Sequence, residues 1–336
     1  MKKNGIKSAG IIIAILTLCI SCTNNKQYYS ESGTVFRTLY KIKYEATKPL
    51  SEKIDAELQA FNLSMNPFIP NSIISKVNNN EEVEVDEWFE VVFNKAMEVS
   101  ANTDGAFDVT VAPLINLWGF GFENFGNISQ QTIDSIKEFV GYQKVRIENK
   151  RVIKDDPRIK LNFSAIAKGY ASDIIASVLE REGVENYMVW IGGEVTAKGK
   201  NPNGVCWRLG INKPEDDPTG IKDDYDNFVT ICNKSGMATS GDYRNYRIID
   251  GKKYSHIIDP SIGYPTERSI RSATIIAPDC LTADAYATAF MVLGIEAAEK
   301  IAAKAPEIEY YLIYDYNVVT DVYKTKYSDG MKTMLR

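Results

Sequence analysis

The 336-residue sequence has little of the two residue types that most often hold zinc: one histidine, His256, and five cysteines. Two of the cysteines lie at the end of an apolar N-terminal run, and the other three are far apart. An odd number of widely separated cysteines predicts neither a zinc site nor a disulfide framework. We therefore expect these three cysteines to be small, buried, apolar residues: Cys206, Cys232 and Cys280.

The chain also lacks an excess of positive charge, internal repeats and low-complexity segments. Its formal net charge is −5 and its pI is about 5.3, which predicts no nucleic-acid partner. With 44% hydrophobic and 25% charged residues, the composition is that of a globular protein with a large buried core. No linker is long enough to force separate domains. We expect an α+β fold with mixed sheets and flanking helices, in two intertwined lobes around a cleft.

The apolar run near the N-terminus is too short to cross a bilayer comfortably. Three lysines precede an apolar run of about a dozen residues that ends at Ile20, as in a targeting segment. The following Ser21-Cys22 resembles a bacterial lipobox, so residues 1–21 are predicted to be a lipoprotein signal peptide and Cys22 to be lipidated. Lipidation at Cys19 and an ordinary secretory signal are the alternatives. Residues 22–33 are interpreted as a polar tether, and the fold is expected to occupy residues 34–336.

The single histidine follows a predicted hairpin. Residues 245–255 form two short runs joined by Asp250-Gly251, the dipeptide typical of a type I′ turn. His256 then stands at the end of the return strand, beside Asp259 and a loop rich in proline and glycine. A histidine in this position can transfer a proton or donate to a ligand. The alternative is a structural histidine whose hydrogen bonds are satisfied within the fold.

A helix beginning near Asp279 carries Asp284 and Thr288. These residues are four positions apart, so their side chains share one helix face. A carboxylate and a hydroxyl oxygen suit Mg²⁺, which takes its other ligands from phosphates and water. The alternative is a pair that only caps the helix or faces solvent.

Two further segments can contact a phosphate-containing ligand. The segment 103–121 is rich in glycine and aromatic residues, with Asp108 and Thr110 two positions apart, and can bring backbone amides close to a phosphate or serve as a structural crossover. In the segment 162–173 a strand leads directly into a helix, with Ser164 as the expected N-cap and Lys168 in the first turn. A helix N-terminus beside a lysine is a possible anion site.

Six segments in order resemble the ApbE family of FAD:protein FMN transferases over roughly residue 34 to the C-terminus. These segments are 105–114, 164–170, 191–194, 238–244, 256–265 and 283–288. The resemblance implies a lipid-anchored enzyme on the periplasmic face of the bacterial inner membrane. It implies FAD as substrate, Mg²⁺ as cofactor, and transfer of FMN to a Thr or Ser hydroxyl with release of AMP. The implied acceptors are flavoprotein subunits of redox-driven membrane complexes.

The resemblance also assigns residues by position. Asp284, Thr288 and the backbone oxygen of Ala165 are the implied Mg²⁺ ligands, and His256 is the hypothesised base with Asp284 as the second catalytic residue. The implied FAD-binding residues are Met65, Ala106, Phe107, Asp108, Asn162, Lys168, His256 and Ile257.

Two positions depart from the pattern of the family. Asn162 stands where many relatives carry Asp, and Asn66 stands where some carry an aromatic residue. A weaker flavin platform at Asn66 would let water compete with the protein hydroxyl. This favours an Mg²⁺-dependent FAD pyrophosphatase as the first alternative to FMN transfer. A second, independent alternative is a non-catalytic FAD-binding lipoprotein.

Overall fold

The computed structural model describes residues 26–121, 128–215, 224–267, 269–317 and 322–335. The predicted signal peptide and lipidation sites Cys19 and Cys22 lie outside the described residues. No helix in the described ranges combines the length and the apolar composition that a membrane span requires.

The strands are numbered in chain order. They are β1 (Gln27–Val35), β2 (Thr38–Ala46), β3 (Val145–Glu148), β4 (Arg151–Lys154), β5 (Tyr187–Ile191), β6 (Glu194–Lys198), β7 (Trp207–Asn212), β8 (Tyr225–Ile231), β9 (Ser235–Gly241), β10 (Tyr246–Ile249), β11 (Lys252–Ser255), β12 (Ile258–Asp259), β13 (Tyr264–Pro265), β14 (Ile270–Ala277), β15 (Glu309–Asn317) and β16 (Val322–Tyr327).

The helices are numbered in the same way. They are α1 (Ser51–Met65), α2 (Ile73–Asn78), α3 (Glu87–Asn102), α4 (Ala112–Leu117), α5 (Gln130–Lys137), α6 (Ala167–Arg181), α7 (Cys280–Leu293), α8 (Ile295–Ala302) and α9 (Asp329–Met334), with single 3₁₀ turns at Val109–Val111 and Tyr142–Lys144.

An antiparallel sheet of eight strands organises the fold, in the order β1-β2-β5-β6-β9-β14-β15-β16. Helices α1, α3, α6 and α7 pack together over one face, where the apolar sides of the helices and strands form the larger hydrophobic core. The hairpin β7–β8 and helix α9 lie over the other face around a smaller core that includes Trp207 and Met237. The predicted α+β class is confirmed, with one layer of structure on each face of a shared sheet.

The first strand corrects the predicted start of the fold. β1 begins at Gln27 and pairs with β2 from Gln27↔Ala46 to Val35↔Thr38. Residues 27–33 are therefore part of the sheet, and their interpretation as a polar tether is wrong. They resemble a tether because β1 is an edge strand with one buried residue, Val35, and an edge strand tolerates polar residues.

A disulfide joins Cys206 to Cys232, so the prediction that these cysteines are buried, unlinked residues is wrong. They are separated by 26 positions, but the pairing Trp207↔Ile231 at the end of the β7–β8 hairpin brings their Cα atoms to 4.9 Å. Sequence spacing does not reveal this pairing, because the strands that bring the cysteines together form only in the fold. Cys280 is buried and unlinked, as expected.

Reduction of the Cys206–Cys232 disulfide is expected to lower the free energy of unfolding of the β7–β8 layer by about 2–4 kcal/mol, because the reduced chain gains conformational freedom when unfolded. Thermal unfolding with and without a reductant measures the effect. The Cys206→Ser/Cys232→Ser variant is the control and should unfold at one temperature in both buffers. A wild type that is equally insensitive to the reductant would contradict the prediction.

Candidate functional site

A cavity of about 930 Å³ opens beside the β5–β6 turn and is within the size range of sites for cofactor-sized ligands. We call it the site cavity. Its lining includes every residue that the sequence analysis assigned to catalysis, FAD binding or Mg²⁺ binding: Met65, Ala106, Phe107, Asp108, Asn162, Ala165, Lys168, His256, Ile257, Asp284 and Thr288. The structure therefore brings together residues that are more than 200 positions apart in the chain.

Helix α7 is held firmly where it enters the site. Asp279 is its N-cap and accepts a hydrogen bond from the Thr282 amide at 2.7 Å. The buried Asp173 of α6 accepts from the amides of Cys280 at 3.0 Å and Leu281 at 2.8 Å. Burial raises the pKa of Asp173 to about 7, although these hydrogen bonds favour the charged carboxylate and oppose the rise. Two carboxylates thus satisfy the free amides of the first turn, which fixes the direction of the helix.

Asp284 lies one turn into α7, at the closest approach of α6. Its Oδ2 accepts a hydrogen bond from the Gly169 amide at 3.0 Å, and its Oδ1 lies 4.0 Å from Nζ of Lys168. Burial raises the pKa of Asp284, and the Lys168 charge opposes that rise. The carboxylate is 2% exposed and faces the site cavity.

Gly169 permits this approach because it has no side chain. A Cβ at this position would lie 2.2 Å from the Cys280 carbonyl oxygen and 2.8 Å from Cβ of Asp284. Both neighbours belong to a packed helix, so neither can move without shifting α7.

Gly169→Ala is expected to lower the free energy of unfolding by about 1–3 kcal/mol through overpacking, and to reduce ligand binding because Asp284 is displaced. Chemical denaturation and FAD titration measure the two effects. Ser177→Ala is the control on the same helix, since that hydroxyl only bonds the Asp173 carbonyl one turn earlier. Unchanged stability in Gly169→Ala would show that α7 tolerates the displacement.

Lys168 lies between two carboxylates. Its Nζ is 2.6 Å from Oε1 of Glu194 and 4.0 Å from Oδ1 of Asp284. Burial disfavours the lysine charge, but the two carboxylates outweigh that effect and hold the pKa of Lys168 above its ordinary value. Lys168 is therefore a permanent cation in the site cavity.

Glu194 is a site residue that the sequence analysis missed. The segment Ile191-Gly192-Gly193-Glu194 carried part of the family resemblance, but no role was assigned to its carboxylate. A charged residue that follows a Gly-Gly turn and begins a strand of otherwise small or apolar residues was the available signal. Ser240 was also missed; its hydroxyl is 2.9 Å from the hydroxyl of Thr288.

His256 directly follows the β10–β11 hairpin. The predicted turn is confirmed, since Asp250 and Gly251 have φ of 50° and 78°. Nδ1 of His256 lies 3.0 Å from the Asn245 carbonyl oxygen. A carbonyl only accepts, so Nδ1 carries the proton and Nε2 is left as the acceptor. Burial lowers the pKa of His256 to about 4, and the Lys168 charge acts in the same direction.

The Asp108 carboxylate organises its own loop. Oδ1 accepts from the amide and hydroxyl of Thr110 at 2.7 and 2.6 Å, and Oδ2 accepts from the Tyr142 amide at 2.8 Å. Burial raises the pKa of Asp108, and these hydrogen bonds oppose the rise. The loop contributes to the cavity lining, while both carboxylate oxygens are already engaged within the fold.

The start of α6 differs from the prediction. The helix begins at Ala167 and its N-cap position is Ile166, so Ser164 is not the N-cap. The Ser164 amide instead donates to Oδ1 of Asn162 at 2.8 Å, and the Ser164 hydroxyl also bonds that oxygen. Asn162 thereby shapes a turn before the helix, and this local side-chain bond competes with capping.

The oxygen atoms near α7 suit a hard cation. Asp284 offers a carboxylate, Thr288 a hydroxyl and Ala165 a backbone carbonyl, and all three residues line the site cavity. Within the described ranges, no three His, Cys, Asp or Glu side chains form a metal-binding group by themselves. An ion held here would complete its shell from water and substrate oxygens, which is typical of Mg²⁺.

Comparison with known proteins places the chain in a family. The model that describes the ApbE family matches residues 36–312. The chain belongs to the ApbE family. This ApbE-family chain is 36% identical over 303 residues to an FAD:protein FMN transferase of Vibrio cholerae, covering 87% of this chain and 89% of the relative. A protein of the same name from Escherichia coli is 35% identical over 313 residues, covering 90% of this chain and 87% of the relative.

Solved structures of ApbE proteins share the fold. "Flavin Transferase ApbE from Vibrio cholerae" matches with a TM-score of 0.80 at 34% identity, over 92% of this chain and 99% of that chain. The ApbE protein of Thermotoga maritima matches with a TM-score of 0.79 at 30% identity, over 92% of this chain and 100% of that chain. The predicted family resemblance is confirmed, and the chain is a transferase enzyme.

Asn66, one of the two departures from the family pattern, is engaged within its own loop. Its side-chain Nδ2 donates to Oδ1 of Asn62 at 2.8 Å, and its Oδ1 accepts from the Phe68 amide at 2.9 Å. The residue lines the site cavity but is 6% exposed. Its side chain therefore holds the loop after α1.

Proposed function

We propose that this ApbE-family enzyme transfers the FMN half of FAD to a Thr or Ser hydroxyl of a target flavoprotein, with AMP as the leaving group. The observation that carries the proposal is the meeting, in one cavity, of an oxygen-rich face of α7, a partly buried lysine and a neutral histidine. The first two suit a diphosphate, and the third suits a hydroxyl that must lose a proton. The names of the curated relatives support the same reaction.

We propose Mg²⁺ as the cofactor, held by Asp284, Thr288 and the Ala165 carbonyl. Their donor atoms are oxygens, the three residues line the site cavity, and the buried Asp284 carboxylate has one oxygen engaged by a single amide. When bound, Mg²⁺ would neutralise diphosphate charge as the bond to AMP breaks.

Lys168 and the start of α6 are proposed to orient the diphosphate. The lysine ammonium is a permanent cation at the cavity wall, and the positive end of the α6 dipole lies beside it. Met65, Ala106, Phe107, Asp108, Asn162 and Ile257 are proposed to contribute cavity wall for the flavin and its chain.

His256 is proposed to accept the proton of the acceptor hydroxyl at Nε2. The hydroxyl oxygen then bonds to the phosphorus of the FMN half, and the bond from that phosphorus to the AMP oxygen breaks with its electron pair. AMP leaves with that negative charge. The Nδ1 hydrogen bond to the Asn245 carbonyl keeps Nε2 in the unprotonated form that this step needs.

The proposed location is the periplasmic face of the bacterial inner membrane, through a lipid on Cys22. The Cys206–Cys232 disulfide supports an oxidising compartment outside the cytoplasm. Acceptors in redox-driven membrane complexes suit this location, since anchored enzyme and target would share one surface.

Cys22→Ala is expected to move the protein from the membrane fraction to the soluble fraction, because lipidation requires the thiol. Fractionation and incorporation of labelled fatty acid measure this. Cys19→Ala is the matched control and should stay membrane-bound and labelled. Labelling lost in Cys19→Ala instead would assign the lipid to Cys19, and no labelling in the wild type would favour an ordinary secretory signal.

The reaction itself is tested with chain that starts after Cys22, incubated with FAD, Mg²⁺ and a flavoprotein subunit that carries a candidate acceptor Thr. We expect a gain of one FMN in acceptor mass, in step with AMP release. AMP with free FMN and no mass gain, repeated over several acceptors, would establish the pyrophosphatase. Tight FAD binding without AMP would establish the binding protein.

A further inference from the structure

The Glu194 carboxylate is buried in the wall of the site cavity, beside the charged groups of Lys168 and Asp284. It begins β6 directly after the Gly192-Gly193 turn, is paired in register with Ile191 of β5, and is 4% exposed. A buried carboxylate is costly unless each of its oxygens is paired. The hydrogen-bond partners of the two oxygens therefore indicate the role of Glu194.

The two oxygens of Glu194 differ. Oε1 lies 2.6 Å from Nζ of Lys168, whereas Oε2 has no hydrogen-bond partner among the residues that the structure describes. A buried charged acceptor without a hydrogen bond loses its hydration and gains nothing in return. The carboxylate faces the site cavity, so a bound substrate can supply the missing donor.

The surroundings restrict what that donor can be. Lys168 links Glu194 to Asp284, so Glu194 stands at the place proposed for the diphosphate and the metal. Phosphate oxygens only accept hydrogen bonds and carry negative charge, so they cannot pair with Oε2. The donors nearest to a diphosphate are hydroxyl groups: those of the FAD sugar chains, or the hydroxyl of the acceptor protein.

We propose, resting on the proposed function, that Glu194 is a substrate-binding residue: Oε2 accepts a hydrogen bond from a substrate hydroxyl while Oε1 holds Lys168. The lysine charge compensates a carboxylate that would otherwise repel the diphosphate. One side chain thereby orients both the cation that contacts phosphate and the hydroxyl beside it.

The test replaces Glu194 by Met, which keeps the length of the side chain and removes its hydrogen bonding. FAD affinity is measured by flavin fluorescence, and acceptor KM and kcat by mass gain. A charge-assisted hydrogen bond predicts a roughly 10- to 100-fold loss in one of these quantities. Weaker FAD binding assigns the hydroxyl to FAD. Unchanged FAD binding with a raised acceptor KM assigns it to the acceptor.

Glu180→Met is the matched control, since Glu180 pairs with Lys198 and Lys234 and does not line the site cavity. It should leave FAD affinity and acceptor KM unchanged. If Glu194→Met does not fold, Glu194→Gln is measured in its place, with a smaller loss expected because the amide keeps one neutral acceptor. A change in thermal stability alone, with both binding constants unaltered, overturns the proposal.

A double-mutant cycle separates direct binding from an effect through Lys168. In a Lys168→Met background, Glu194→Met should still weaken the same constant roughly 10-fold. No further loss there would mean that Glu194 only holds Lys168, which also overturns the proposal. FAD affinity is measured without any acceptor protein. If the wild type binds FAD but does not transfer FMN, the proposed function fails, and the effect of Glu194→Met on FAD affinity can still be measured.

Discussion

Asp284→Asn is expected to lower the rate of FMN transfer by roughly 1,000-fold or more, because the loss of several kcal/mol of charge stabilisation in the transition state corresponds to such a factor. The substitution keeps the size of the side chain and an oxygen that can accept from the Gly169 amide. Lys168 keeps its 2.6 Å contact with Glu194. The loss should therefore come from the metal site with the fold intact.

The measurement is acceptor mass gain as a function of Mg²⁺ concentration, together with FAD affinity with and without Mg²⁺. Wild-type affinity should rise with Mg²⁺, and that response should disappear in Asp284→Asn. Asp279→Asn is the matched control on the same helix, because Asn caps as well as Asp does and the residue lies outside the cavity lining. Full activity in Asp284→Asn would remove this carboxylate from the proposed metal site.

His256→Ala is expected to lower kcat roughly 100- to 10,000-fold, which is the usual contribution of a general base. FAD affinity should change far less, because the residue acts on the acceptor hydroxyl. Added imidazole should restore part of the rate in this variant and should not affect the wild type. A full rate in His256→Ala with unchanged FAD affinity would show that another group takes the proton.

The pH dependence follows from the pKa of His256. Burial lowers it to about 4, so the imidazole is neutral above that pH and protonated below it. A base acts in its neutral form, so protonation of His256 should lower the wild-type rate only as pH approaches 4, whereas the buried carboxyls of Asp173 and Glu194, whose pKa values burial raises to about 7, gain protons first. The imidazole-rescued His256→Ala reaction should instead fall below about pH 7, near the ordinary pKa of a free imidazole. The NMR titration of the single imidazole in the chain measures the pKa of His256 directly, and a midpoint near pH 6.5 would mean that His256 is not shielded.

Local chemistry explains which elements could be predicted. The Asp250-Gly251 turn follows from the ease with which these residues adopt positive φ, and the observed angles confirm it. The spacing of Asp284 and Thr288 places both on one face of α7, because helix geometry depends on no other part of the chain. Asp279 as N-cap and Gly294 as the end of α7 follow from the same local rules.

The predictions for Ser164 and for residues 27–33 were wrong because local and tertiary interactions compete. Ser164 has the right chemistry for a cap, but a shorter-range bond to Asn162 takes its hydroxyl and amide. β1 has a polar sequence because it lies at the sheet edge, and only its pairing with β2 makes it a strand. A polar composition is compatible with an edge strand as well as with a tether, so composition alone does not distinguish them.

The fold class, the family, the hairpin before His256 and the helix face with Asp284 could all be predicted from the sequence, since each depends on contacts within a few residues or on ordered motifs. Three contacts depend on the complete fold: Lys168 lies between Asp284 and Glu194, Gly169 allows α6 to touch α7, and Cys206 meets Cys232. These contacts join distant segments across a shared sheet. Their geometry is set by packing, and residue order along the chain does not encode it in any local pattern.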